Sequence, residues 1–265
     1  MRFNNKNVIL PTPVVYPGLK FTSNGNSTIS WSKNAGSAPA VNLQYSLNNG
    51  VTWVEWDMTT INLSNGETIC FKGNNTAFAS ADTGRYNIFV FNGSISASGN
   101  IMSILDNGTC TQLSLPTAAF ANLFRFSTGL VDISKLTLPA TTLGEYCYHC
   151  TFLGTSITEI PVLPATTLTS YCYNNMFNLC TNLTRVTADK MPATTLADHC
   201  YRQMFSGCSS LNYIECGASN ISATGCLENW LGGVSATGDF YNLGGVTYPS
   251  GDSGIPSGWT EHTSL

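Results

Sequence analysis

Charged residues are scarce in this chain: they make up 10% of 265 residues, against about 25% in an ordinary soluble domain. The 11 Lys and Arg residues form no cluster, which argues against a nucleic-acid partner. No run of 18 apolar residues occurs, so no membrane insertion is expected. The GxSxG, HExxH and P-loop motifs are missing as well, and no GxGxxG joins a strand to a helix. We therefore expect no enzyme, no cofactor and no metal.

The chain also lacks an evident secretion signal at its start. Its first apolar stretch is short and broken by Pro11 and Pro13, and no small-residue cleavage site follows. Two explanations remain open. The protein is assembled inside the cell, as a virion component is, or it is a bacterial surface protein whose signal was removed.

The chain does contain a sequence repeat that occurs three times, as LPATTLGEYCYHCTF, LPATTLTSYCYNNMF and MPATTLADHCYRQMF. Equivalent positions lie 25 and then 28 residues apart, as at Cys147, Cys172 and Cys200. A period in the twenties is typical of units that bury their apolar sides only by stacking on copies of themselves. A degenerate copy upstream is marked by Phe120 and Phe124.

Within one unit, apolar residues recur every four positions after the proline, which predicts a helix followed by a short strand. Ser170, Asn174 and Asn175 are placed on the solvent side, so Asn174→Ala is expected to be neutral. The cysteines are expected to be free thiols acting as small buried hydrophobes. The predicted repeat core comprises Leu143, Cys147, Phe152, Leu168, Cys172, Met176, Phe177, Leu183, Leu196, Cys200, Met204, Phe205 and Leu211.

The pattern AxxxCYxxMFxxCxxLxxI, from about Leu115 to Ile214, resembles the BspA-like leucine-rich repeats. The LPATTL-rich variant of these repeats is found in surface proteins of gut anaerobes and of their phages. This resemblance implies a right-handed solenoid with strands along one face and a role in adhesion or display. The segments GCLENW and GIPSGW resemble the closing cap of such proteins, and QYSLNNGVTWVEW resembles the module that precedes the repeats.

The first hundred residues show short alternating runs broken by Gly and Asn, which predict antiparallel strands. The strands are expected at 19–23, 28–32, 42–46, 52–58, 67–72, 87–91 and 94–98, packed as a β-sandwich. The fold class predicted is thus α+β: a β-sandwich followed by a short right-handed leucine-rich-repeat solenoid of helix and strand. The expected parts are an extended arm (1–18), the sandwich (19–100), the solenoid (101–216) and a C-terminal cap (217–265).

The arm is the first candidate for contact with other molecules. It carries two apolar runs, Val8, Ile9 and Leu10 followed by Val14, Val15 and Tyr16. An extended apolar segment of this kind can add a strand to a partner's sheet or fill a groove, and a tail without any role is the alternative.

The second candidate lies on the predicted strand 52–58, where Trp53, Glu55 and Asp57 share one face. An exposed Trp53 beside two carboxylates would suit a sugar ligand. Packing of Trp53 at the domain junction and a solvated outer face for the carboxylates are the alternatives. Cys147 and Cys150 have CxxC spacing, but a zinc site needs two further ligands that the neighbouring repeats do not supply.

These observations favour a non-enzymatic structural or adhesion protein on a virion surface. The arm would contact other virion or surface proteins, and the repeats would contact a host glycan or protein. The alternatives are an exported bacterial adhesin, at the cell surface or secreted, and a carbohydrate-binding accessory module. Self-association is left open.

Overall fold

The computed structural model describes residues 15–265. The arm residues Val8, Ile9, Leu10 and Val14 lie outside this range. The described chain holds thirteen strands, two 3-10 helices and no α-helix. The strands are β1 (Lys20–Ser23), β2 (Ser27–Lys33), β3 (Gln44–Ser46), β4 (Val54–Glu55), β5 (Ile61–Leu63), β6 (Thr68–Lys72), β7 (Asn87–Asn92), β8 (Ile95–Asn100), β9 (Leu130–Thr137), β10 (Arg185–Val186), β11 (Tyr213–Cys216), β12 (Gly238–Asn242) and β13 (Trp259–His262), and the 3-10 helices are Ile101–Ile104 and Ala188–Lys190.

The first eight strands form two facing sheets, and every strand predicted in this segment overlaps an observed one. One sheet has the order β4-β3-β6-β1-β8-β9 and the other β5-β2-β7. Aromatic rings fill the space between them: the ring centroid of Phe89 lies 5.2 Å from that of Phe21 and 5.3 Å from that of Phe71. These contacts join the two sheets into one buried layer.

The larger sheet continues across the predicted boundary at residue 100. Strand β9, which belongs to the first repeat, pairs in parallel with β8. The ring of Phe124, also from the first repeat, lies 5.8 Å from Phe89 and 5.4 Å from Phe152. One apolar core therefore runs from the sandwich into the repeats.

The predicted α+β class, with a solenoid of helix and strand, is wrong, because the described repeats contain no α-helix. Each predicted helix is instead a series of tight turns in which every fourth residue has a positive φ. In the second complete unit these residues are Tyr171, Asn175 and Leu179, with φ of 56°, 55° and 59°. A right-handed helix cannot contain such residues, so the described chain is nearly all β and turn.

Backbone hydrogen bonds show why the turns form only in a stack. Alternate amides bond within the unit, as from Met176 to the Tyr173 carbonyl at 3.1 Å. The amides between them donate to the next unit, as from Phe177 to the Met204 carbonyl at 3.0 Å. A single unit would leave those amides without protein partners, and unpaired buried amides are costly. Stacking therefore satisfies the backbone as well as the apolar side chains.

The residues predicted as the repeat core are all buried. The rings of Phe152, Phe177 and Phe205 stack nearly parallel, at 5.6 and 5.8 Å between successive centroids. The prediction for Asn174 is wrong: its side chain is buried, donates to the Arg202 carbonyl at 3.2 Å and accepts from Asn175 at 2.9 Å. Asn174 therefore stabilises the fold as a buried, hydrogen-bonded polar group, and Asn174→Ala is expected to lower the free energy of unfolding.

The cysteines that follow the stacked phenylalanines act as hydrogen-bond donors, not only as small hydrophobes. The Cys180 thiol donates to the Phe152 carbonyl at 3.2 Å, and the Cys208 thiol donates to the Phe177 carbonyl at 3.1 Å. The equivalent residue of the first complete unit is Thr155, whose hydroxyl donates to the Phe152 carbonyl at 2.8 Å. Small side chains that can donate a hydrogen bond thus occupy this position; the thiols donate to the preceding unit and the Thr155 hydroxyl donates within its own.

Substitutions at Cys208 separate these two roles. We expect Cys208→Ala to lower the free energy of unfolding by about 1–2 kcal/mol and Cys208→Ser to lower it by about half as much, because serine keeps the donor. Urea denaturation measures both values. A serine variant that is less stable than the alanine variant would show that the thiol serves only as an apolar group.

The C-terminal segment extends the repeat stack. Strands β10, β11, β12 and β13 form one parallel sheet in chain order, so the segment predicted as a cap supplies β12 and β13. Trp230 is completely buried, and its indole N–H donates to the Gly254 carbonyl at 2.9 Å. Residues after 217 therefore belong to the same core as the repeats.

Candidate functional site

The parallel sheet exposes one face on which aromatic and charged side chains collect. Along β11 and β12 the inward-facing residues Ile214, Cys216, Phe240 and Asn242 are buried. The residues between them point to the opposite face because strand side chains alternate, and of these Glu215 is also buried, at 6% exposure. We call this set the platform: Arg185, Tyr213, Glu215, Asp239, Tyr241 and His262. Strand register brings the set together, since Arg185 pairs with Tyr213 and Tyr213 with Asp239, while Glu215 pairs with Tyr241 and Tyr241 with His262.

Three flat rings form the middle of the platform. The centroids of Tyr213 and Tyr241 are 5.0 Å apart, and the ring of His262 stacks on Tyr241 at 4.6 Å with an interplanar angle of 19°. At one end the Arg185 guanidinium lies 3.9 Å from the Tyr213 ring centroid, a favourable cation–π arrangement. The rings are half-buried, so they are supported from behind and still accessible.

Glu215 fixes the Arg185 end of the platform. Its carboxylate accepts bonds from the Tyr213 hydroxyl at 2.6 Å, the Ala188 amide at 3.0 Å and the Arg185 guanidinium at 3.2 Å. Burial opposes ionisation of Glu215, but these bonds outweigh it and lower the pKa of the carboxyl. The bond to Glu215 in turn raises the pKa of the Tyr213 hydroxyl to about 12. Tyr213 is thus held as a neutral donor in one orientation.

At the other end, His262 and Asp239 remain open to solvent. The His262 Nε2 atom lies 2.7 Å from Asp239 Oδ1, and the two side chains are 35% and 50% exposed. Their polar groups stand beside the stacked rings and are within reach of a ligand lying on them. The platform therefore combines an apolar surface with polar groups at both ends, a combination that suits amphipathic ligands.

A second row of stacked rings occurs on the turn side of the repeats. Tyr146, Tyr171 and His199 are equivalent positive-φ residues of successive units, with centroids 4.6 Å apart at each step. The row ends at Gly225, where an added Cβ would lie 2.3 Å from the His199 ring. Charged groups stand at its His199 end, where Glu228 lies 3.7 Å from His199 and 3.0 Å from Arg202. The row lies on turns and not on strands, and we use it as a reference surface.

Trp53, Glu55 and Asp57 each contact a different partner. The Trp53 ring is half-buried, with the Tyr16 ring at 4.9 Å and the Lys72 ammonium at 4.7 Å from its centroid. Glu55 accepts a bond from Gln44, and Asp57 accepts bonds from the amide and hydroxyl of Thr59 at 3.0 and 2.6 Å. Each of the three therefore has a partner in the N-terminal module, and the Trp53 ring packs against Tyr16 and Lys72 there.

Two residues of the predicted arm lie in the described range. Val15 is exposed, but Tyr16 is buried and its hydroxyl donates to the Phe71 carbonyl at 2.9 Å. Tyr16 is therefore part of the sandwich.

The CxxC segment has no reactive thiol. Burial raises the pKa of Cys150 to about 12 and lowers the pKa of His149 to about 4, although Cys150 Sγ and His149 Nε2 are 3.2 Å apart. Both groups are therefore uncharged at neutral pH, and a thiolate nucleophile does not form. Across residues 15–265, no group of three or more His, Cys, Asp or Glu side chains is placed to hold a metal ion.

The platform is not predicted from the sequence. The alternation in Tyr213-Ile214-Glu215 and Asp239-Phe240-Tyr241 is visible in the sequence, but the second segment lies in the predicted cap. An alignment of these two segments as strands of successive units places their outer residues side by side.

No protein-family model, no curated protein and no solved structure matches this chain. Among the described residues, no helix has the length and apolar character needed to cross a bilayer.

Proposed function

We propose that this chain is a non-enzymatic structural and adhesion protein that is displayed on a phage virion. Its platform binds a glycan of the host surface. The observation that carries this proposal is the ladder formed by Arg185, Tyr213, Tyr241 and His262 across adjacent parallel strands. A rigid sheet backed by a continuous core holds these side chains in place before any ligand arrives. Binding to such a prearranged surface avoids much of the entropic cost of ordering side chains.

The chemistry of the platform favours a sugar over a protein ligand. The C–H groups of sugars pack on apolar surfaces, and their hydroxyl groups need donors and acceptors close by. Tyr213, Tyr241 and His262 supply a row of ring edges, because their faces lie against one another and against Arg185. Asp239 and Arg185 supply exposed polar groups. The resemblance of the LPATTL units to BspA-like surface repeats supports a role in adhesion.

Tyr241→Ala tests the function most simply, because Tyr241 contacts both neighbouring rings. On a glycan array we expect wild-type protein to bind a defined subset of glycans and Tyr241→Ala to bind them at least about tenfold more weakly. Tyr171→Ala is the matched control, since it removes a stacked, half-buried tyrosine from the reference row and should leave binding unchanged.

Equal binding by wild type and Tyr241→Ala, or equal loss in both tyrosine variants, would exclude the platform as the adhesive surface. The site of display is tested separately with antibodies against the chain. Labelling of purified virions supports the virion placement, whereas labelling of bacterial cells alone supports an exported adhesin.

A further inference from the structure

A second surface with ligand-binding character lies where β9 passes into the LPATTL segments. It is a groove of about 460 Å³, within the usual range of small-ligand sites. The lining side chains that matter for recognition are Lys135, Pro139, Pro161, Val162, Pro164 and Lys190. None of these residues belongs to the platform.

The groove is basic although the chain carries a net charge of −4. Lys135 comes from β9 of the first repeat and Lys190 follows β10 two repeats later, so the units on either side of the one that carries Val162 each contribute a lysine to the same groove. None of the described residues that line the groove carries a carboxylate. Within residues 15–265, neither lysine forms an ion pair. Their charges are therefore available to an anionic ligand.

The rest of the lining is apolar and stiff. Three proline rings and Val162, which is 45% exposed, form the walls. Proline side chains lose no rotamer freedom when they are covered. Ser134 and Thr137 add exposed hydroxyl groups at the β9 side. The groove thus offers C–H surfaces, hydroxyl groups and two positive charges within the space of a small ligand.

We propose that this groove binds a carboxylate-bearing sugar, such as a uronic or sialic acid residue. A sugar acid presents a C–H face for the proline walls, hydroxyl groups for Ser134 and Thr137, and a carboxylate for Lys135 and Lys190. An acidic peptide would satisfy the lysines but would bring flexible carboxylates and no flat C–H face to the prolines. The groove is distinct from the platform, and this proposal does not depend on glycan binding by the platform.

Paired probes that differ in charge test the proposal. Trigalacturonate is compared with its methyl ester, and sialyllactose with the methyl ester of its sialic acid carboxylate, by titration calorimetry on the full chain. We expect at least one acidic probe to bind and its neutral partner to bind about tenfold more weakly, since a charge-assisted hydrogen bond is lost. Added salt should weaken binding of the acidic probe, because part of the attraction is electrostatic.

Variants then locate the binding site. Lys135→Gln and Lys190→Gln should each weaken binding of the acidic probe about tenfold. Lys33→Gln, which neutralises an exposed lysine on β2, should leave this binding unchanged. Thermal unfolding checks that each variant is folded.

Three results would overturn the proposal. They are equal binding of acid and neutral forms, unchanged binding by both groove lysine variants, and no binding of either acidic probe at millimolar concentration. Tighter binding of a hexaglutamate peptide than of both sugar acids would show that the groove is a peptide site instead.

Discussion

Replacing Phe177 by alanine should lower the free energy of unfolding of the whole chain by about 3–5 kcal/mol. The Phe177 ring is completely buried between those of Phe152 and Phe205, at 5.6 and 5.8 Å, and it is nearly parallel to both. Its loss would leave a cavity shared by three units, and the hydrogen-bonded turns on either side have little room to close it. Urea denaturation followed by circular dichroism measures the effect.

Phe126→Ala is the matched control for Phe177→Ala. It removes the same benzyl group from another residue of the repeats, but Phe126 is 55% exposed. We expect this change to cost less than about 1 kcal/mol, as surface substitutions usually do. Losses of unfolding free energy of similar size in the two variants would mean that the stacked rings of Phe152, Phe177 and Phe205 do not form the core of the repeats.

The second large effect is expected at Trp230. The indole is buried against Tyr201, Phe240 and Tyr248, with ring centroids 6.1–6.5 Å away. Trp230→Ala should therefore destabilise the protein by about 3–5 kcal/mol. Trp230→Phe keeps most of the apolar contact but leaves the Gly254 carbonyl without its indole donor. It should cost about 1–2 kcal/mol.

The shape of the unfolding transition matters as much as its midpoint. Because the C-terminal strands share the repeat core, Trp230→Ala should shift one transition observed by circular dichroism and by tryptophan fluorescence together. Two separate transitions, with the C-terminal segment melting first, would show that residues after 217 form an independent cap.

The sequence allowed the repeat units and their buried residues to be predicted, because stacking needs the same apolar positions in every copy. It did not distinguish turns from a helix. Leu168, Cys172, Met176 and Cys180 are spaced by four residues, and each such step advances an α-helix about 40° past a full turn. Over three steps the stripe would rotate by about 120°, so a strict period of four was itself a sign against a helix.

The platform was harder to predict for a different physical reason. Its residues lie on strands that pair with strands of other repeats. Which side chains meet across such strands can be predicted only when the strand register is known. Tyr213 and Tyr241 are 28 residues apart, yet their rings are in contact. The sequence instead drew attention to Trp53, Glu55 and Asp57, which are close in the chain but are held by separate local partners.

The turn structure of the repeats positions both proposed binding surfaces, and nuclear magnetic resonance measures it directly. Carbon chemical shifts and amide–Hα couplings of residues 168–180 report φ for each residue. Left-handed values at Tyr171, Asn175 and Leu179, with other conformations between them, are the predicted result. A continuous run of right-handed helical values from 168 to 180 would contradict the stacked-turn structure and the surfaces built on it.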